Sequence, residues 1–239
     1  MLHKTRGIVL RTTKYGDASV IVKIYTEQFG VQSYIVNSVR SIKGKGKASL
    51  YQHGHLLDLV VYYKDQGNIF RISECQFAHV YQEIPFQVVK GAMLLFYVEV
   101  LNKVLPEHDP NLSLFDFVFS SLIDLDQTDR PLANHSLWFL LGLCKYLGFY
   151  PEVGGGKYFD LREGACTDTM PAYTDFLSEQ QTQALRSCLE PQLRNYDQLT
   201  LTPAQRRPLL HQMLRYYQLH LSGFGSVRSI DVLESLFHT

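Results

Sequence analysis

The first eighty residues constrain the fold most strongly, because five runs typical of β-strands follow one another there. The runs are rich in β-branched and aromatic side chains and cover residues 6–14, 19–26, 31–39, 52–63 and 69–81. Gly16, Gly30 and Gly67 lie between consecutive runs, where glycine favours tight turns. Five short antiparallel strands predict a small barrel, and among such barrels the OB-fold is the commonest that binds single-stranded nucleic acid.

Helical patterns replace the strands after Tyr81. Apolar residues recur at helical spacing, and the predicted helices cover residues 86–104, 112–125, 131–149, 202–221 and 229–237. One further helix is predicted to begin at Ser178. A glutamine follows three residues after Ser178 and again three residues after Thr202, and this spacing is a capping-box pattern. The chain is therefore predicted to be α+β. A five-stranded OB-fold barrel over residues 1–81 precedes a helical domain over residues 82–239, with an irregular insert at residues 152–175.

Charge divides at the same point in the chain. Residues 1–80 contain eleven Lys/Arg and five Asp/Glu, a net charge of +6, whereas the whole chain is neutral. A basic module joined to an acidic remainder favours nucleic-acid binding by the first part.

Several classes of protein are disfavoured by composition. Polar residues interrupt every apolar run well before the roughly 20 residues that cross a bilayer, and no signal-peptide pattern opens the chain. We therefore expect a soluble cytoplasmic protein without membrane partners. The cysteines are Cys75, Cys144, Cys166 and Cys188. They form no Cys-x-x-Cys pair, so free thiols and no bound metal or other cofactor are expected.

Cationic and aromatic residues of the first domain are the candidates for nucleic-acid contact. Lys43, Lys45 and Lys47 alternate with glycine and could follow a phosphate backbone, although a lysine-rich hairpin can also serve only solubility. The full candidate set is Arg11, Lys14, Tyr34, Arg40, Lys43, Lys45, Lys47 and Arg71. Tyr34 is included because it alternates with Ile35 and could face outward to stack on a base. Surface ion pairs with nearby acids are the alternative for the arginines.

Several short motifs resemble the RecO family of bacterial DNA repair proteins. Gly7-Ile8-Val9-Leu10-Arg11 is followed by Tyr15-Gly16-Asp17 and by Thr26-Glu27-Gln28-Phe29-Gly30. Leu147-Gly148-Phe149-Tyr150-Pro151 and Leu214-Arg215-Tyr216-Tyr217 extend the resemblance into the second half. The resemblance thus spans the chain in the family's domain order.

The resemblance implies a non-enzymatic recombination mediator that binds and anneals single strands. The implied partners are single-stranded and double-stranded DNA, RecR, RecA and single-stranded DNA-binding protein. One departure concerns zinc, since many relatives carry four cysteines in the insert, where this chain has only Cys166. We therefore expect no zinc there, and Tyr158, Phe159 and Leu161 to hold the insert by hydrophobic packing.

A second candidate site lies in the long helix of residues 202–221. Arg206, Arg207 and Arg215 stand there with Tyr216 and Tyr217, and such a patch could receive the acidic, apolar tail of single-stranded DNA-binding protein. A solvated helix face is the alternative. For the whole chain, an RNA-binding OB-fold protein linked to translation and a small hydrolase remain alternatives. No nucleophile–base spacing supports the hydrolase.

Overall fold

The computed structural model describes residues 1–37, 39, 48–64, 67–189 and 196–236. Its contacts divide the chain into two compact units, Met1–Thr128 and Asp129–Thr239. The first unit therefore contains the barrel together with the first two helices, whereas the sequence pattern changes from strand to helix already near Tyr81. Within the described residues, no helix is both long and apolar enough to cross a membrane.

Five strands close into a barrel in the order β1-β2-β3-β5-β4. They are β1 (Leu2–Tyr15), β2 (Ser19–Thr26), β3 (Gly30–Val36), β4 (Leu56–Tyr62) and β5 (Phe70–His79). The long β1 pairs antiparallel with both β2 and β4, and β3 closes the barrel by pairing in parallel with β5. This architecture confirms the predicted OB-type barrel.

Inward-pointing side chains of all five strands fill the barrel. They include Val9, Val22, Ile24, Tyr34, Leu57, Leu59, Val61 and Phe70. Tyr34 is 0 % exposed, so the prediction that it faces outward was wrong. The alternation of residues 33–36 does not show which side of β3 faces the core. Tyr34 pairs with Val22, whose side chain points inward, and this pairing places Tyr34 on the inner side of the strand.

Two helices of the first unit cover part of the barrel. They are α1 (Val88–Val104) and α2 (Leu112–Gln127). The ring of Tyr25 on β2 lies 5.3 Å from that of Phe115 on α2. The α1–α2 connector packs so closely on the β2–β3 turn that a Cβ on Gly30, whose φ is +64°, would lie 2.6 Å from the Asp109 carbonyl oxygen.

A buried carboxylate joins these helices to the end of the barrel. Asp126 on α2 accepts hydrogen bonds from the backbone N–H groups of Gln82, Glu83 and Ile84 at 2.9–3.1 Å. The His79 Nε2 lies 2.9 Å from the same carboxylate. Burial by itself would raise the pKa of Asp126, but these hydrogen bonds together outweigh burial, and its pKa is lowered.

The second unit consists of four helices and a small sheet. The helices are α3 (His135–Leu147), α4 (Glu179–Cys188), α5 (Pro203–His220) and α6 (Ser229–Leu236). Both predicted capping boxes are present: Ser178 with Gln181 opens α4, and Thr202 with Gln205 opens α5. The small sheet has the order β7-β6-β8, with β6 (Tyr158–Asp160), β7 (Ala165–Thr167) and β8 (Phe176–Leu177).

The insert is therefore more regular than predicted, because β6 and β7 lie within residues 152–175. Phe159 and Leu161 are fully buried, while Tyr158 is only half-buried. Ion pairs supplement this packing, since Asp175 accepts hydrogen bonds from both Arg162 and Arg215 at 2.9 Å. Arginine contacts that the sequence pattern did not predict thus help to hold the insert.

Replacement of Asp126 tests the junction between barrel and helices. We expect Asp126→Asn to lower the free energy of unfolding by about 2–4 kcal/mol at pH 7, because an amide cannot accept all the hydrogen bonds that the carboxylate accepts. Asp116→Asn, which changes an exposed carboxyl on the same helix that pairs with Arg6, should cost less than about 1 kcal/mol.

The pH dependence follows from the lowered pKa of Asp126. This carboxylate stabilises the fold above its unfolded pKa of about 4, and the contribution is lost as the pH falls through the lower folded value. Urea unfolding followed by circular dichroism between pH 3 and 7 measures it, since the single tryptophan, Trp138, lies in the other unit. Equal stability losses for the two variants, or parallel pH profiles for Asp126→Asn and the parent, would contradict this role.

Candidate functional site

A bulge in β1 decides which side chains face outward. Val9 pairs with Ile24, but Arg11 rather than Leu10 pairs with the next residue, Lys23. The extra residue changes the parity of the strand, so Arg11 lies on the outer side although Val9 lies in the core. Pairing between β1, β2, β3 and β5 places further outward residues beside Arg11. We call this set the outer strand face: Arg11, Thr13, Tyr15, Ile21, Lys23, Ile35 and Arg71.

Helix packing leaves this part of the outer surface uncovered. Ile8, Tyr25 and Val31 are paired across β1, β2 and β3 and also point outward, one step along the strands from Arg11 and Lys23. All three are buried. Tyr25 also donates a hydrogen bond to the Asn111 carbonyl oxygen in the α1–α2 connector. In contrast, Arg11, Tyr15 and Arg71 are exposed. The connector therefore marks the boundary between the covered and uncovered parts.

Three cations lie on the outer strand face. Arg11 and Lys23 occupy directly paired positions on β1 and β2, an arrangement of like charges that is unfavourable unless an anion lies nearby. Glu107 of the connector supplies one, with its Oε1 3.0 Å from the Lys23 Nζ, and this hydrogen bond lowers the pKa of Glu107. Within the described part of the chain, Arg11 and Arg71 make no ion pair with an acidic side chain.

The predicted cations do not all share this face. Lys14 pairs with Val20, whose side chain points into the core, so Lys14 projects from the opposite side of β1 to Arg11, as expected for strand residues three apart. It is exposed at the end of the strand. Arg40, Lys43, Lys45 and Lys47 lie outside the described residues.

Two residues of the outer strand face were missed as candidates. Lys23 was treated only as part of a strand, and Tyr15 was not among the selected candidates. The Tyr15 side chain is 52 % exposed, which suits it to stack on a base. The alternation of Ile21 and Lys23 with Val20, Val22 and Ile24 was the signal that could have identified Lys23 as an outward cation.

The charge of the first unit is more balanced than that of the strands alone. Residues 82–128 add seven Asp/Glu and only two Lys/Arg. Six of these acids belong to the two helices and the connector, and Glu83 precedes α1. The unit of residues 1–128 is therefore close to neutral. The net charge of the unit therefore favours no nucleic-acid ligand, and only the local separation of charge on the barrel could attract one.

An apolar pocket lies between α3, α5 and α6 in the second unit. Its volume is about 80 Å³, enough for several water molecules or a small apolar side chain. The apolar walls are Ala133, Leu137, Pro203, Leu210 and Leu233, and the charged lining residues are Arg206, Arg207 and Glu234. A small apolar cavity bordered by two guanidinium groups can bind a carboxylate beside an apolar side chain.

The structure separates the three arginines that were predicted to form one patch. Arg206 and Arg207 line the pocket, whereas Arg215 lies two turns further along α5 and pairs with Asp175 of the insert. The aromatic part of that prediction was wrong, because Tyr216 and Tyr217 are buried. Their hydroxyl groups donate to the carbonyl oxygens of Phe149 and Leu140.

The two guanidinium groups at the pocket differ in their partners. Arg207 Nε lies 3.1 Å from Glu234 Oε2. Arg206 is half-buried and donates to the Leu201 carbonyl oxygen at 3.2 Å and to Asn134 Oδ1 at 3.5 Å. Burial lowers the pKa of Arg206, and no carboxylate of the described residues forms an ion pair with it. Arg206 is therefore a partly desolvated cation whose hydrogen-bond partners are neutral.

Comparison with known proteins identifies relatives over the whole length. Residues 1–81 match the family model "Recombination protein O N terminal", and residues 86–228 match "Recombination protein O C terminal". A protein of Christiangramia forsetii named DNA repair protein RecO is 34 % identical over 241 residues, covering 99 % of this chain and 100 % of the relative. A protein of the same name from Phocaeicola vulgatus is 32 % identical over 240 residues, with the same coverage.

A more distant protein of that name, from Porphyromonas gingivalis, is 29 % identical over 246 residues and again covers 99 % of this chain and 100 % of its own length. The matched segments meet between Tyr81 and Phe86, where the strands give way to helices. Barrel topology and both family matches lead to the same conclusion: this chain belongs to the RecO family of DNA repair and recombination proteins.

Proposed function

We propose that this protein is a non-enzymatic recombination mediator that binds and anneals single-stranded DNA. With RecR, it would help RecA to replace single-stranded DNA-binding protein on the strand. The observation that carries the proposal is the uncovered outer strand face, where Arg11 and Arg71 lack acidic partners among the described residues. The membership of the chain in the RecO family supplies the repair context.

Annealing by such a surface requires no active site. Two complementary strands repel each other through their phosphates, and a cationic surface that replaces counterions lowers this repulsion. Tyr15 is exposed at the end of β1 on the same face and can hold an unpaired base by stacking. A barrel that neutralises phosphates without enclosing the bases leaves their pairing edges accessible to a second strand.

An annealing assay with complementary strands tests this function. The purified full chain should accelerate pairing of DNA strands, and the acceleration should decline as salt increases, because phosphate contacts release counterions. The same assay with RNA at matched salt tests the alternative. A clear preference for RNA would favour an RNA-binding protein, and absence of annealing with either would contradict the proposal.

The outer strand face predicts a specific change in salt dependence. We expect the double change Arg11→Ala, Arg71→Ala to reduce the slope of log K against log salt by about 1.4, since each lost single-strand phosphate contact removes about 0.7. At 0.1 M salt, this corresponds to an affinity loss of about 10- to 30-fold. Fluorescence-anisotropy titrations with a labelled oligonucleotide at several salt concentrations measure both quantities.

Lys4→Ala is the matched control, because Lys4 is an exposed cation that pairs with Val60 on β4, away from the outer strand face. It should change the slope little. Because it removes one charge and the double change removes two, a slope change half as large as that of the double variant would mean that binding responds to overall charge. An unchanged slope in the double variant would remove the outer strand face from the interface. The loop residues Arg40, Lys43, Lys45 and Lys47, together with Lys14, remain a prediction that the same titration tests.

We further propose that the apolar pocket receives the acidic tail of single-stranded DNA-binding protein. Arg206 and Arg207 would pair with carboxylates of the tail, and an apolar side chain would enter between Leu137, Leu210 and Leu233. The proposal is supported by the partly desolvated Arg206, whose hydrogen-bond partners are neutral. Because Arg215 pairs with Asp175, it is no longer part of the proposed dock.

Charge reversal at the pocket should separate peptide binding from strand binding. We expect Arg206→Glu, Arg207→Glu to weaken binding of an acidic tail peptide by at least about tenfold, because charge-assisted hydrogen bonds are replaced by repulsion. Single-strand affinity should be nearly unchanged. Isothermal calorimetry with the peptide measures the first quantity, and the anisotropy titration measures the second.

Arg215→Gln is the control for this experiment, since it removes a cation from the same helix outside the pocket. It should retain peptide binding. Loss of peptide binding in Arg215→Gln alone would move the dock towards the insert, and parallel loss of peptide and strand binding in the double variant would indicate one shared surface.

A further inference from the structure

The apolar pocket already contains a carboxylate that belongs to the chain itself. Glu234 lies on α6, and its side chain is only 11 % exposed. One carboxylate oxygen, Oε2, lies 3.1 Å from Arg207 Nε, and the other, Oε1, lies 2.7 Å from His211 Nε2. Glu234 therefore occupies the position that a carboxylate of an incoming ligand would take beside Arg207.

The second cation of the pocket is not occupied in this way. Arg206 contacts a backbone carbonyl and an amide oxygen, although it lines the same pocket as Arg207. One guanidinium group is thus paired internally, while its neighbour makes only neutral contacts within the described residues. This asymmetry suggests an order of binding, in which a ligand carboxylate meets Arg206 before it reaches Arg207.

We propose that Glu234 is an intramolecular competitor that an acidic, apolar-ended peptide must displace from Arg207. The proposal rests on the dock described above and adds its regulation. In the free chain, α6 closes one side of the pocket, and the peptide exchanges the Glu234–Arg207 pair for its own. Affinity then depends on the difference between these two pairs, and not on the peptide contact alone.

Displacement is energetically feasible because the internal pair is partly open to solvent. The Arg207 side chain is 54 % exposed, although Glu234 is only 11 % exposed, so water can solvate the guanidinium group when the pair opens. The helix that presents Glu234 has eight residues, of which Ile230 and Leu233 are buried. The helix is thus held by two buried apolar side chains and by the Glu234 carboxylate, so that loss of the Glu234–Arg207 pair loosens the helix without detaching it.

Removal of the competing charge tests the proposal. We expect Glu234→Gln to bind the acidic tail peptide about two- to fivefold more tightly than the parent, which is the fold-change that corresponds to loss of a partly exposed ion pair. The control is Asp231→Asn, which makes the same charge change at an exposed position of the same helix. It should leave affinity within a factor of about 1.5. Calorimetry on the full chain measures all three proteins.

The outcomes distinguish the competitor from the dock. Equal or weaker binding by Glu234→Gln, or the same gain in Asp231→Asn, overturns the competitor and leaves the dock in place. No peptide binding by the parent and Glu234→Gln overturns both. A second readout is amide hydrogen exchange of residues 229–236. Saturating peptide should accelerate it if Glu234 is displaced, whereas slower exchange would mean that Glu234 only anchors the helix and would contradict the proposal.

Discussion

The first unit depends on one buried carboxylate at the junction between strand and helix. Three consecutive backbone N–H groups, those of residues 82–84, converge on Asp126 as the chain leaves the barrel. Without this acceptor the buried N–H group of Ile84 would lose its partner, at a cost of about 1–3 kcal/mol. The same residue offers its carbonyl oxygen to the buried Lys90 of α1 at 2.8 Å. The end of α2 is thereby tied both to the barrel exit and to α1.

This attachment determines which part of the barrel is available to a ligand. With α2 and the connector fixed against β2 and β3, Ile8, Tyr25 and Val31 are covered, and the next rows of the same strands remain accessible. The bulge at Leu10 places Arg11 on that accessible side. Since the two helices and the connector carry six of the twelve acids of the unit, the proposed strand binding depends on where charge lies and not on the net charge. A fragment for binding studies should therefore extend to Thr128, because residues 1–81 alone would lack Asp126.

The arginines of α5 differ in function because they contact different partners. Arg206 and Arg207 are adjacent on α5, yet one is half-buried among neutral oxygens and the other pairs with Glu234. Arg215 on the same helix pairs with Asp175, which also binds Arg162 and so helps to hold the insert. Only the first two can serve the pocket. Their contacts favour a ligand that combines carboxylates with an apolar end.

The sequence by itself determined the order and type of the elements. Five β-rich runs with glycine turns predicted the barrel, and both capping boxes lie where the polar pattern indicated them. These features are local, because strand alternation and helix capping depend on residues two to four apart. Local patterns also nominated Arg11, Arg71, Arg206 and Arg207 as candidate site residues.

Tertiary structure alone decided which candidates share a surface. Tyr34 is buried because β-pairing, and not its own alternation, sets the side on which it lies. Lys23 joins Arg11 only through a bulge, and Glu234 meets Arg207 from a helix more than twenty residues further along the chain. The role of Asp126 was equally hidden, since its partners lie more than forty residues earlier. Such contacts depend on register and packing between distant segments, which no local spacing encodes.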